Sequence, residues 1–451
     1  MTQNIRTPLL FAIMAVLFIL EGSTNFWVFS GSWNTSLAIL NMALISAIMA
    51  LGVNLQWGYA GLFNVGVMGF VALGGLATVL ISMPATPGAW SAGGLRIVLG
   101  IIVGVGTILG AVQIRKKMSP GRNRGLLMIA LLVLGFFAFR YVFDAGVEAI
   151  EAINPAQTGN LGGLNPGGPE NYKAHGYMTL LAWPVGGLFA AGAAWIVGKT
   201  ALGLRSDYLA IATLGIAEII LAMMKNEDWL ARGVKNVVGL PRPVPYEVDL
   251  QKSAEFAARA EAWGTDVTTA STIAVKLSYG LLFTAVLVVL LVLAQLSLKS
   301  PWGRMMRAIR DNEVAARAMG KNVTKRHLQI FVLGSAICGL AGAMMTTLDG
   351  QLTPNSYQPL RFTFLIWVMV IVGGSGNNFG AVLGGLMIWF FWIKVEPIGN
   401  WLMMVVTSGM EDGSGLKTHL LNSAAHMRLF SMGIILLLVL RFSPRGLVPE
   451  R

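Results

Sequence analysis

The chain has 451 residues, 55% of them hydrophobic and only 12% charged, with a formal net charge of +12; soluble proteins carry roughly 25% charged residues. That balance excludes a soluble multidomain protein, and positive charge confined to loops between apolar runs argues against a nucleic-acid surface. The single cysteine, Cys338, lies in an apolar run beside Gly339, so no disulfide or cysteine–metal framework can form within the chain and a buried thiol is expected.

Apolar stretches of about 20 residues, the length that crosses a hydrocarbon core as helix, recur from end to end. They predict an all-α fold: one polytopic transmembrane helical bundle over residues 1–451, with about 10–12 membrane segments. The first span, 8–28, follows Arg6; Glu21-Gly22-Ser23-Thr24 offers no small-x-small cleavage site, so it reads as a retained span. Further spans are predicted at 34–56, 61–82, 93–114, 125–143, 177–198, 207–224, 275–297 and 327–348. Shorter pieces follow at 362–374 and 379–393, and a last span at 424–441. With the N-terminus inside, alternation puts 19 of the 33 lysines and arginines inside but only four of the 21 acids. Positive loops stay cytoplasmic, so both termini are expected there. Residues 362–393 are read as a hairpin because Gly373-Gly374-Ser375-Gly376-Asn377-Asn378 supplies a break. One long helix would also put the basic tail outside. The loops 144–176 and 225–274 are expected outside, the second with a helical stretch over 254–263.

Between the spans at 275–297 and 327–348 lies a basic cytoplasmic loop, 299–326. Met306, Ile309, Ala316 and Met319 recur there at helical spacing, with Arg304, Arg307, Arg310 and Arg317 off that line. The pattern predicts a short amphipathic helix ended by Gly320 in a left-handed conformation, with Thr324 capping the next helix. Such a helix either lies on anionic lipid or docks a soluble partner.

Glu313-Val-Ala-Ala followed by Gly320 resembles the coupling loop of bacterial ABC-importer permeases. Three other stretches resemble the LivM-type permeases of branched-chain amino-acid importers: Leu204 to Ile219, Gly61 to Gly66, and Phe362 to Gly385 followed by Arg441 to Leu447. The resemblance implies a membrane subunit in the bacterial inner membrane, without catalytic residues or a bound cofactor, in which ATP is used by partner subunits. It implies that a cytoplasmic ABC ATPase docks on Gly303, Arg304, Arg307, Arg310, Glu313, Ala315, Ala316 and Gly320. A LivH-type second permease would complete the pathway, and a periplasmic substrate-binding protein would deliver branched-chain or related small amino acids. Related permeases also take urea or short amides, which is the alternative cargo. The chain departs from the family pattern in two places. Ala231 to Pro241 keeps only the Gly and Leu-Pro portion of a usual Thr-Gly-Gly-like stretch, and 93–143 has no counterpart and reads as an extra two-helix insertion.

Gly198-Lys199-Thr200 is no phosphate loop, since Gly192 is one residue too far upstream and no strand precedes it. Glu218, deep in a predicted span, is read as a structural hydrogen-bonding group or a residue of the substrate path. Asn64 and Thr213 are further path candidates, and Asn54 and Gln56 are polar groups on a glycine-rich segment suited to interhelical hydrogen bonds. The glycine-interrupted spans 61–80 and 362–391 suit either broken helices at a midplane site or close packing. Four scattered histidines form no metal site, no convergent acid–base set marks an enzyme, and an ion-coupled transporter is disfavoured by the scarcity of intramembrane charge.

Overall fold

The computed structural model describes residues 3–153, 163–359, 363–411, 414–423 and 426–450. The predicted span at 424–441 and the piece at 362–374 therefore each begin on residues outside the described set. The helices in chain order are α1 (Gln3–Ser23), α2 (Trp33–Ala60), α3 (Val67–Ser82), α4 (Leu95–Lys117), α5 (Arg122–Glu151), α6 (Gly168–Asn171), α7 (Tyr177–Ala201) and α8 (Ser206–Asn226). Three short helices follow, α9 (Asp228–Ala231), α10 (Glu247–Lys252) and α11 (Ala254–Ala262), then α12 (Val267–Lys299), α13 (Pro301–Asp311), α14 (Glu313–Ala318) and α15 (Val323–Asp349). The chain closes with α16 (Phe364–Gly373), α17 (Asn378–Thr407), α18 (Gly415–Ser423) and α19 (Met427–Phe442). Two short strands, β1 (Val237–Val238) and β2 (Gln351–Leu352), pair antiparallel, with Val237 opposite Leu352. Among the described residues nine helices are long and apolar enough to span a membrane, and α3 and α16 are shorter apolar helices. The chain is a polytopic helical membrane protein.

Helix ends follow local chemistry. Ser32 accepts from the Thr35 amide to open α2, and Asp266 accepts from the Thr268 and Thr269 amides to open α12. A side-chain oxygen there satisfies an amide that the first helical turn leaves unpaired. α2 stops at Gly61, whose φ of 69° is left-handed, and residues 61–66 run without helix before α3. The span expected at 61–82 therefore begins only at Val67. Three further expectations are corrected. α17 runs on through Pro397 to Thr407, well past the expected end at 393. α5 reaches Glu151, so the loop expected from 144 starts later, and its residues 154–162 lie outside the described set. Asn322, and not Thr324, caps α15, accepting from the Lys325 amide at 2.9 Å.

The core is a contact of backbones. A Cβ on Gly74 of α3 would stand 1.8 Å from the Gly339 carbonyl oxygen of α15, and one on Gly339 would stand 2.6 Å from the Gly186 carbonyl oxygen of α7. Small residues let membrane helices pack this closely, where dispersion replaces the missing hydrophobic drive. α2 is buried along most of its length and α17 packs beside it. Glu21 and Lys394 form an ion pair between α1 and α17 at 2.5 Å, with side chains 0% and 6% exposed. Lys394 also donates to the Val28 carbonyl and Ser30 donates to Glu21, so this buried pair has the extra hydrogen bonds that such a pair needs.

α4 and α5 form a hairpin at the edge. They pack mainly on each other, and their small apolar cluster of Ala89, Ile97, Phe143, Val147 and Ile150 meets the rest of the chain at Trp229 of α9. The chain leaves the bundle at Pro84 and returns at Leu164, and these two residues form a β-bridge. The Asn165 side-chain amide reinforces the junction, donating 2.7 Å to the Ser82 carbonyl.

Candidate functional site

The basic loop joins α12 to α15 as two helices, and so corrects the single helix expected over 303–320. Asn312, extended at φ −156°, separates α13 from α14, and its side chain accepts from the Ala315 amide at 2.9 Å. Pro301 sits in the first turn of α13, where its missing N–H costs nothing. Gly303, Met306 and Ile309 are buried, and Ala316 is partly buried. Glu313, Ala315 and Gly320 are exposed, as are Val314 and Met319, each 78% exposed. Gly320 has φ 73° and open space around its missing Cβ, so its role is conformational. The arginines do not share one face. Arg304 is exposed, and Arg317 pairs with Glu313 at 2.5 Å. Arg307 turns back to the Leu298 carbonyl at 3.1 Å, and Arg310 points inward.

Arg310 ties this loop to the bundle. It donates to the Gly58 carbonyl near the end of α2, to Glu450 at 2.8 Å and to Asp311 at 3.1 Å. Burial works against its charge, but the hydrogen bonds and charges of Glu450 and Asp311 outweigh that and raise its pKa. Glu450 is held in turn by the tail. The Leu447 and Val448 amides donate 2.9 Å to the Val372 and Gly373 carbonyls, and Asn377 donates to the Pro449 carbonyl.

Two non-helical segments, 61–66 and 374–377, lie beside this contact, and buried amides hold them. Asn54 donates 3.0 Å to Asn378 and accepts from the Gly376 amide at 2.9 Å. Gln56 donates to the Phe331 carbonyl and to Ser335, and accepts from Asn64 at 2.9 Å. Asn64 also accepts from the Gly66 amide, and its carbonyl accepts from the Trp367 indole at 3.1 Å. Thr213 accepts from the Val65 amide at 3.1 Å and donates to the Ala210 carbonyl. Backbone without helical hydrogen bonds survives at membrane depth only with such partners.

Of the three path candidates, Asn64 and Thr213 are thus buried and engaged with the protein's own backbone, whereas Glu218 is exposed on the outer side of α8. It lies near the middle of that helix, on the face that also exposes Tyr208, Ile211, Ile219 and Met223. Sequence reasoning singled out Arg310 but missed its partners Glu450 and Gly58, as well as Asn378 and Trp367. The only sequence signal for these is the clustering of Asn and Gly at 374–378.

The chain matches the family described as branched-chain amino acid transport system / permease component over residues 35–160 and 156–440. Among curated proteins it is 28% identical to the high-affinity branched-chain amino acid transport system permease protein LivM of Escherichia coli, over 60% of this chain and 59% of that protein. It is 27% identical to the probable LivM of Methanocaldococcus jannaschii over 58% of this chain and 65% of that one. The probable LivH of the same archaeon is 32% identical over 24% of this chain and 35% of its own length. The chain therefore spans about three-fifths of the length of the LivM relatives it matches. No solved structure gives a significant match. With the family match reaching from the start of α2 to the end of α19, the chain belongs to the branched-chain amino acid transport permease family.

Proposed function

We propose that the chain is the permease subunit of an ATP-driven importer for branched-chain or related small amino acids, with its basic end and both termini in the cytoplasm. The α13–α14 segment is the seat of a separate ATPase subunit, which carries all the nucleotide chemistry. The observation that carries this reading is the direct bonding of α13, through Arg310, to the end of α2 and to the tail beneath the 374–377 turn. A push on α13 therefore reaches both non-helical segments through hydrogen bonds and not through solvent. α14 and its C-cap offer a partner Val314 and Met319 beside the Glu313–Arg317 pair, an exposed apolar and charged surface.

The exposed stripe of α8 is the contact with a LivH-type second permease, and Glu218 lies on the substrate path between the two. A carboxylate facing lipid near a helix centre costs on the order of 3 kcal/mol on insertion scales. A partner or a wet passage removes that cost. The ammonium group of an amino acid is the natural counter-charge for Glu218 in transit. A periplasmic binding protein delivers the substrate to the opposite end.

The test is reconstitution with the neighbouring ATPase, second permease and binding protein. ATP-dependent uptake of leucine, isoleucine or valine, lost with Glu313→Lys and with Gly320→Val while the permeases still pair, is the expected result. Uptake of urea but not of amino acids would refute the cargo, and full uptake in both variants would refute the docking role.

A further inference from the structure

A crevice of about 950 Å³ opens between α1, α12 and α17, and Tyr59, near the end of α2, also lines it. Its lining is ordered along the helices that form it. On α12 it runs from Lys299 back to Leu287, and along α17 from its cap, Asn377, to Leu386. At 1.5 Å of rise per residue those stretches are about 18 Å and about 14 Å long, close to one leaflet of a hydrocarbon core roughly 30 Å thick. The deep part is lined by aliphatic side chains such as Val288, Leu291 and Val382. The shallow part carries the cations Lys299 and Arg307. Glu450 also lines the mouth, but its carboxylate is held by Arg310 at 2.8 Å, which leaves the rim basic.

We propose that this crevice is a binding site for an anionic glycerophospholipid, with the phosphate at Lys299 and Arg307 and the acyl chains between α12 and α17. Depth, polarity and charge each fit that one class of molecule. An apolar wall one leaflet long accepts an acyl chain of any lipid, and the basic rim selects the headgroup, as basic pockets between membrane helices do. A soluble phosphate would leave the apolar part empty, and the path candidates Asn64, Thr213 and Glu218 are not among the lining residues. The site touches the coupling machinery. Arg307 is on α13, one turn before Arg310 on the same face, so a bound headgroup braces the same helix that Arg310 fastens. The lipid assignment rests on the crevice alone and stands whether or not the chain takes up amino acids.

Native mass spectrometry of the full chain in detergent tests it, with phosphatidylglycerol and phosphatidylcholine of identical acyl chains competing. Phosphatidylglycerol is expected to be retained several-fold more, and glycerol phosphate without acyl chains not at all. Lys299→Gln, at an exposed helix end where folding is not at stake, should cut the preference about five-fold, the worth of one basic side chain at an anionic surface. Val288→Trp should lower retention of both lipids by filling the wall. Equal retention of the two lipids, a preference untouched by Lys299→Gln, or retention untouched by Val288→Trp would overturn the proposal, as would binding of the headgroup alone. Crosslinking of a photoactivatable phosphatidylglycerol to α8 in place of α12 would overturn it too.

Discussion

Arg310 and Glu450 are 140 residues apart in sequence, yet their contact joins the basic loop to the tail. A charged hydrogen bond of this kind contributes about 1–2 kcal/mol once partial exposure is allowed for. Arg310→Gln and Glu450→Gln are each expected to lower coupled uptake about ten-fold with little loss of assembled complex. The double variant should be no worse than Arg310→Gln alone, because that variant already removes the contact with Glu450 along with the one to Gly58. Uptake rates in vesicles check this, and additive losses would count against it. Residues such as Asn54, Gln56 and Asn64 were legible in the sequence because an amide inside an apolar, glycine-rich run must find a partner. Glu450 was not legible, since nothing in a tail acid reveals a distant arginine. Glu218 was only half legible. Its depth follows from hydropathy, but its outward direction depends on which side of α8 meets α3 and α7, and an inward partner was the simpler expectation.

At the scale of elements, the break between α13 and α14 turns on one side chain. Removing the Asn312 cap should cost about 1 kcal/mol of α14. Asn312→Ala is therefore expected to weaken ATPase co-purification several-fold, and Asn312→Asp to preserve it. The periodicity of Met306 and Ile309 disclosed α13. The break was hidden because asparagine fits both a mid-helix position on an exposed face and a cap, and only tertiary placement chooses. The α4–α5 hairpin was legible as two spans, but its closed junction was not, because a bridge between Pro84 and Leu164 leaves no periodic trace. Since the two ends already meet, replacing 86–162 by a short glycine–serine linker is expected to leave the remaining bundle folded. Size-exclusion profiles and retained pairing with the second permease check this; aggregation of the shortened chain would show that the hairpin is part of the core.

On the scale of the whole molecule, nearly all spans were visible as apolar runs of membrane length, and the Gly373–Asn378 break disclosed α16 as a separate short helix; the half length of α3 stayed hidden because the apolar run already begins at Gly61. Orientation rests on the uneven distribution of lysine and arginine. A cysteine replacing Arg122 should react in intact cells only with permeant reagents, and one replacing Asp249 with impermeant reagents as well. The buried Cys338 leaves the background silent. The backbone contact of α3, α7 and α15 carries a further consequence for how such a bundle can change shape. Where carbonyl meets glycine there is no layer of side chains to slide, so shear between these helices is disfavoured and the three are expected to move as one block. The hinges then fall where helical hydrogen bonding is already interrupted, at 61–66 and 374–377. Spin labels on α3 and α15 should keep their separation within about 2 Å, the scale of ordinary helix adjustments, between nucleotide-free and ATP-bound complexes. Labels on α13 and α3 should move apart or together by more, and equal displacements in both pairs would dissolve the block.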